Sequence, residues 1–286
     1  MKPLRIAMVA DVHCGEDQGT KLGSRAPDLL PAALAEIARH RPDLVVDLGD
    51  RINQADAAKD ARNLRRVAEM FAALATPRVH LVGNHDVDNL SVAEHEQVLG
   101  HGLRHHSRNE GGWHLTFWNP DCRYVPKLGN MRLSDGDLAW LEADLAAHDA
   151  PTVLFSHAPA HRAPMDGNLY FEHRPASRAW HANVHEATQL LARHRQVILC
   201  VNGHTHWNAL SFLDGIAFAT LPSLTECFTT PPEPSGAWGL LELADPITWT
   251  VRGRDPLHWS LPLRHPRRGW SSRGTEAVPS DPADDR

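Results

Sequence analysis

Cysteine is scarce in this chain, and the few that occur stand apart. Among 286 residues there are only Cys14, Cys122, Cys200 and Cys227, with no CxxC pair. That scatter does not read as a disulfide framework, and it fits a reducing compartment. An excess of positive charge is missing too. The formal net charge is -6, so stable nucleic-acid binding by phosphate neutralisation is not expected. No stretch approaches the roughly 18 consecutive apolar residues that span a membrane. The apolar run inside MKPLRIAMVADVHC gives way to polar and charged residues without the small-residue site at which a secretory signal is cut. A cytoplasmic protein with no membrane partner is expected.

What the chain has in abundance is histidine, 20 in all, in a composition that is otherwise globular: 42% hydrophobic and 22% charged. Its length allows one sizeable core or two small ones. Short β-branched runs alternate with helical patterns. Strands are predicted over 4–10, 44–48, 79–82, 113–118, 152–155 and 197–201, with helices over 27–40, 57–74, 135–147 and 184–194. Such alternation indicates βαβ units and a mostly parallel sheet. After residue 205 the runs NALSFL, GIAFATL, GAWGLLEL and ITWTVRG have no helices between them, which predicts an antiparallel meander forming a second sheet on the first. Residues 1–263 read as one folded domain. Residues 264–286 are polar and aperiodic and read as a disordered tail.

The strand ends hold the chemistry. The first is followed by Asp11 and His13, the second by Gly49 and Asp50, and the third by Gly83, Asn84, His85 and Asp86. The strand at 152–155 leads to His157, and the one at 197–201 to His204 and His206. Ligands of open α/β sheets bind at the carboxyl ends of strands, so these segments should meet. In an extended segment the i, i+2 spacing of Asp11/His13 and of His204/His206 would put both members of each pair on one face. Gly83 and Gly203 would permit positive φ and close approach of the backbone. Imidazole, carboxylate and amide oxygen without thiolate suit Mn, Fe, Zn, Co or Ni. Seven candidate ligands exceed the needs of one ion. Two divalent ions about 3.5–4 Å apart, sharing a carboxylate, account for the number.

The ordered pattern DxH…GD…GNHD…H…GHxH, spanning residues 11–206, resembles the calcineurin-like metallophosphoesterase superfamily. The resemblance implies a four-layer αββα sandwich, with two mixed β-sheets flanked by helices. It implies that Asp11, His13 and His206 hold one metal, that Asn84, His157 and His204 hold the other, and that Asp50 bridges them. His85 would be the catalytic histidine, and Asp86 would orient an imidazole or the turn. The implied reaction is attack on phosphorus by a hydroxide bridging the metals.

Departures from the family narrow the substrate. RINQAD after Asp50 lacks the second aspartate and glycine of the GDxxDRG motif of protein phosphatases. No extra DNA-binding or capping domain, such as DNA-end nucleases carry, is visible. The C-terminal portion loosely resembles manganese-dependent nucleotide-diphosphate pyrophosphatases, but those have glutamine where His13 stands. A phosphodiesterase acting on a small or nucleotide-like substrate is therefore expected. The alternatives are a phosphomonoesterase or pyrophosphatase of the same fold, and an inactive interaction scaffold. The 161–181 segment, with Asn168, Tyr170, His173 and Arg178, could stack on a base or grip phosphate; it could equally be a surface excursion. The His-rich segment HGLRHHSRNEGGWH (101–114) reads as a solvated loop, and Cys14 as a buried structural thiol.

Overall fold

A computed structural model describes residues 3–125, 129–173 and 178–263. The expected tail, 264–286, lies outside the described residues. Strands β1 (Leu4–Val9), β2 (Leu44–Asp47) and β3 (Arg78–His80) are joined by helices α1 (Ala26–Arg39) and α2 (Ala57–Ala72). They pair in parallel in the order β1-β2-β3. Both faces of these strands are buried, which explains their almost unbroken apolar runs. Asp56 caps α2 by accepting a hydrogen bond from the Lys59 N–H at 2.9 Å.

A second set begins with α3 (Val92–Leu99) and the hairpin β4 (His106–Glu110) and β5 (Trp113–Phe117). It continues with α4 (Asp135–Ala146), β6 (Thr152–Phe155), α5 (Val184–Arg193) and β7 (Val197–Asn202). The last strands are β8 (Ala209–Leu213), β9 (Ile216–Thr220), β10 (Trp238–Leu243), β11 (Ile247–Arg252) and β12 (Leu257–Leu261).

The two sheets run β12-β11-β10-β1-β2-β3 and β4-β5-β6-β7-β9-β8. This corrects the expected meander: the late strands do not build a sheet of their own. The β8–β9 hairpin extends the second sheet beside β7, whereas β10 returns to pair antiparallel with β1. The first sheet is parallel over β1-β2-β3 and antiparallel over β10-β11-β12, and the second is parallel from β5 to β9 with an antiparallel strand, β4 or β8, at each edge. The 101–114 segment is corrected as well. It includes β4 and the turn into β5, and His106 stacks on Phe117 with ring centroids 4.9 Å apart. β4 is a polar edge strand, a common protection against pairing with other chains, and so it carries no apolar alternation to read.

Four layers follow from side-chain alternation. Leu4, Ile6 and Met8 face the second sheet and share a core with Leu115, Phe155 and Val201. Ala7 and Val9 point the other way, onto Leu30, Ile37, Val67 and Phe71 of α1 and α2. On the far side, Leu154 and Cys200 pack under Leu141, Leu145 and Leu190 of α4 and α5. The architecture is an αββα sandwich, and the carboxyl ends of β1, β2, β3, β6 and β7 open at one edge of it.

Candidate active site

Beyond the ends of β1 and β2 the two backbones stay paired. Asp11 N–H donates to the Gly49 carbonyl at 3.0 Å, and His13 N–H donates to that of Asp50 at 2.9 Å. This brings Asp11, His13 and Asp50 together although they lie 39 positions apart at the widest. The segments are not extended as expected. Asp11, His13 and Asp50 have φ of 50°, 44° and 55°, and His204 and His206 both have φ of 65°. Side chains rarely take this left-handed backbone, although Asp and His accept it more readily than most. Each such residue costs about 1 kcal/mol or more. The ligand-type residues themselves make these sharp turns. Gly83 and Gly203 do not have positive φ; a Cβ on Gly83 would strike the Asp50 carboxylate, and one on Gly203 that of Asp11. Close approach is the requirement that glycine meets here.

The side chains converge in two groups joined through Asp50. In one, ligand atoms of Asp11, His13 and His206 lie within 4.8 Å of one another; in the other, so do those of Asp50, His157 and His204. His13 Nε2 faces His206 Nε2 at 3.0 Å, and His206 Nε2 is 3.5 Å from Asp11 Oδ1. His157 Nε2 is 3.4 Å from Asp50 Oδ2 and 3.3 Å from Asn84 Oδ1. Asp50 Oδ2 also lies 3.9 Å from both His13 and His85 Nε2, yet it is buried and has no hydrogen-bond partner among the described residues. An orphaned carboxylate oxygen ringed by imidazoles is an acceptor awaiting a cation. The donor set therefore fits divalent ions.

Electrostatics say the same. Burial works to raise the Asp50 pKa, but His157 and His85 overcome it and hold the carboxyl well below its usual range. Burial works against charge on His157 and His206 as well; Asp50 acting on the first, and Asp11 with Glu226 on the second, bring both up to about 9. His204 and His85, buried without enough compensation, are pushed down to about 3. The buried carboxylates thus favour positive charge beside them, whereas burial disfavours it on the rings that they compensate less.

Outer partners orient the rings. His206 Nδ1 bonds Glu226 Oε2 at 3.0 Å, His157 Nδ1–H donates to the Leu48 carbonyl at 2.9 Å, and His204 Nε2–H donates to that of Arg178 at 2.9 Å. Such contacts fix the tautomer and aim the free nitrogen inward. His85 Nδ1 contacts Gln54 Oε1. The Asp86 carbonyl accepts from His95 Nε2 at 2.7 Å, and its carboxylate accepts from the N–H groups of Asp50, Arg51 and Gly83, each at 2.9 Å. Asp86 thus touches both the turn and an imidazole, although His95 is not one of the ligand-type histidines. Arg51, wholly buried, pairs with Asp86 at 3.0 Å and Asp47 at 2.7 Å. Glu226, Gln54 and Arg51 escaped the sequence reading. Arg51 could have been noticed as a charge directly after a strand-end aspartate; the other two left no signal.

A cavity of 520 Å³ opens over Asp50, Asn84, His85, His204 and His206, and Lys21, Gln54, Tyr124, Tyr170, Phe171 and Arg178 also line it. Two expected substrate residues are not in its lining. Asn168 is buried and its amide ties two segments of backbone together, donating to the Thr205 carbonyl at 2.9 Å and accepting from the Tyr170 N–H at 3.0 Å. His173 has an 89% exposed side chain beside Glu172. Tyr170 reaches the lining, but its hydroxyl is bonded to Thr20 and Glu226. Arg178 lies 5.8 Å over the Tyr124 ring. Cys14 is buried, as expected of a structural thiol.

Comparison with known proteins agrees with this architecture. A chain from Synechococcus sp. described as a "probable cyclic nucleotide phosphodiesterase" is 25% identical over 265 residues, covering 90% of this chain and 92% of the relative. A dimetal phosphatase from Danio rerio superposes with a TM-score of 0.72 at 21% identity, over 91% of this chain and 99% of the other. A purple acid phosphatase from yellow lupin seeds superposes at 0.62 and 12% identity, over 92% of this chain and 55% of the other. These two structures share the fold. The calcineurin-like phosphoesterase pattern matches residues 4–208, most of the chain, and the chain belongs to that family.

Proposed function

We propose that this phosphoric ester hydrolase cleaves phosphodiesters of small, nucleotide-like molecules, using two divalent ions drawn from Mn, Fe, Zn, Co and Ni. Asp11, His13 and His206 would hold one ion, Asn84, His157 and His204 the other, and Asp50 both. Ions bound there would supply Lewis acidity, making water acidic enough to act as a nucleophile at neutral pH and neutralising charge on the phosphoryl oxygens.

The chain's own groups do the rest. The Gln54 contact sets the plane of His85, whose Nε2 lies 3.9 Å from Asp50 Oδ2 in the lining of the cavity. His85 would donate to the departing ester oxygen as hydrogen-bond donor or general acid. Asp86 and Arg51 hold the turns that carry Asp50 and His85. One observation carries the reading: an open donor set around an orphaned Asp50 oxygen shares a single cavity with an aromatic and cationic wall, Tyr124 under Arg178. A planar base with a phosphoryl group at its other end suits that combination. The name of the Synechococcus relative supports a cyclic or other nucleotide diester.

The test is hydrolysis of bis(p-nitrophenyl) phosphate against p-nitrophenyl phosphate by metal-free protein reconstituted with Mn²⁺. A diester preference of about tenfold or more, roughly 1.4 kcal/mol in transition-state binding, is expected. A monoester preference would overturn the phosphodiesterase reading.

A further inference from the structure

We infer that Lys21 is a phosphoryl-gripping residue of this site: its ammonium takes a non-bridging oxygen of the bound phosphoryl group and of the anionic product. Lys21 belongs to none of the strand-end motifs, and it stands eight positions beyond His13 in a connecting loop. It is only 7% exposed, a rare state for a lysine without an ion pair. Its Nζ donates to Asn53 Oδ1 at 3.2 Å. Among the described residues it makes no second side-chain hydrogen bond and no ion pair, so two of its three donors remain free.

Its backbone is held firmly. Lys21 and Gln18 exchange N–H···O=C bonds of 3.0 and 2.9 Å, and a β-bridge joins Lys21 to Glu226, the residue that orients His206. Leu22 N–H donates to the Thr225 carbonyl and Cys227 N–H to that of Thr20, both at 3.0 Å. The loop is thus zipped to the segment behind His206, and Lys21 lines the same cavity as Asn84, His85 and His206. Burial disfavours its charge, whereas the nearby carboxylates of Asp50, Glu226, Asp11 and Asp88 favour it. Among the described residues none of these four carboxylates forms an ion pair with the ammonium. A buried lysine with unused donors, pinned in the lining of an acidic cavity, is placed for an anion that enters from outside. A phosphoryl group is that anion, an identification that rests on the phosphoesterase reading above.

The experiment is calorimetric titration of inorganic phosphate into Mn²⁺-loaded protein, with metal content measured on the same samples. Lys21→Met should keep two ions per chain and bind phosphate about 10- to 100-fold more weakly, the scale of a hydrogen bond to a charged group. Lys21→Arg should recover most of the loss, and Lys21→Gln should repeat it if the methionine variant fails to fold. Unchanged phosphate affinity in Lys21→Met or Lys21→Gln with both ions retained would overturn the assignment; so would tighter metal binding as the sole effect, since Lys21 would then merely balance the carboxylates. Wild-type protein that holds two ions yet binds no phosphate would overturn the phosphoryl site itself, and Lys21 with it.

Discussion

Among the described residues, histidine and aspartate gather in two clusters, and these are built on opposite plans. One surrounds Asp50. The other, His114, Asp144 and His148, joins β5 to α4, and its ligand-type atoms also lie within 4.8 Å of one another. In the second cluster the polar groups serve each other. Asp144 accepts from Ser107 at 2.5 Å and Thr116 at 2.9 Å and bonds His114 Nε2 at 3.0 Å, while His114 Nδ1 bonds Asn109. None of its three residues has positive φ, and the rings of His114 and His148 stack 3.8 Å apart. The Asp50 cluster has left-handed backbone at five residues, a carboxylate oxygen with no hydrogen-bond partner among the described residues and a cavity above it. Residue type does not separate the two. Unmet hydrogen-bonding capacity and stored strain do, and these are the marks of a site maintained for a ligand.

That contrast is most sharply exposed by exchanging one charge in each cluster. Asp50→Asn keeps a side chain that tolerates left-handed backbone but removes the shared anion. It should lower kcat/KM by roughly 10³-fold or more, the several kcal/mol that metal-assisted charge stabilisation is worth, and reduce metal content. Asp144→Ala should leave kcat/KM nearly intact and cost about 2–3 kcal/mol of stability in urea unfolding, because Ser107, His114 and Thr116 lose their acceptor. If Asp144→Ala lost as much activity as Asp50→Asn, the distinction between open and closed clusters would collapse.

Within the open cluster, holding metal and moving protons should come apart. His85→Ala is expected to retain both ions while turnover of esters with poor leaving groups falls by about 10²- to 10⁴-fold. Esters with good leaving groups should lose much less, since they need no proton. Equal losses on both kinds of ester, or loss of metal, would mean that His85 serves the scaffold. Glu226→Gln probes a finer layer. It exchanges the carboxylate behind His206 for an amide, and metal affinity or activity should drop by about 10- to 100-fold. A variant indistinguishable from wild type in both would show that His206 needs no orienting partner.

Much of this site was legible before any coordinates, because its chemistry is local in sequence: each short motif follows a strand whose apolar run announces it. Asp11, Asp50, Asn84, His157 and His206 could be gathered from position alone. Pairing between distant segments was not legible. Nothing in GAWGLLEL states that β10 lies beside β1 while GIAFATL lies beside β7. β4 escaped because an edge strand needs no apolar face, and α3 because it is short, although Ser91 and Glu94 form a capping box that could have marked it. Glu226 and Gln54 act through contacts 20 and 31 positions away. The left-handed turns at Asp11 and His204 were hidden behind a spacing that suits a strand equally well.

The smallest expected effect concerns a histidine belonging to neither cluster. His161 stacks on Phe218 with centroids 4.0 Å apart and bonds Ser211 at 2.7 Å; its buried Nδ1 has no hydrogen-bond partner among the described residues. Burial lowers its pKa from 6.5 to about 4. The fold therefore prefers the neutral ring, and between pH 6.5 and 4 the unfolded chain binds the extra proton. Stability should decline as pH falls through that window, by up to about 1.4 kcal/mol per pH unit for this one group, and the dependence should flatten below pH 4. His161→Gln cannot take up that proton, so urea unfolding of the metal-free chain between pH 7 and 5 should show a shallower acid decline than wild type. An unchanged slope would mean that the ring reaches water readily, and that an unpartnered buried nitrogen, at His161 as at His13 and at the Asp50 oxygen, is no sign of a held-open site.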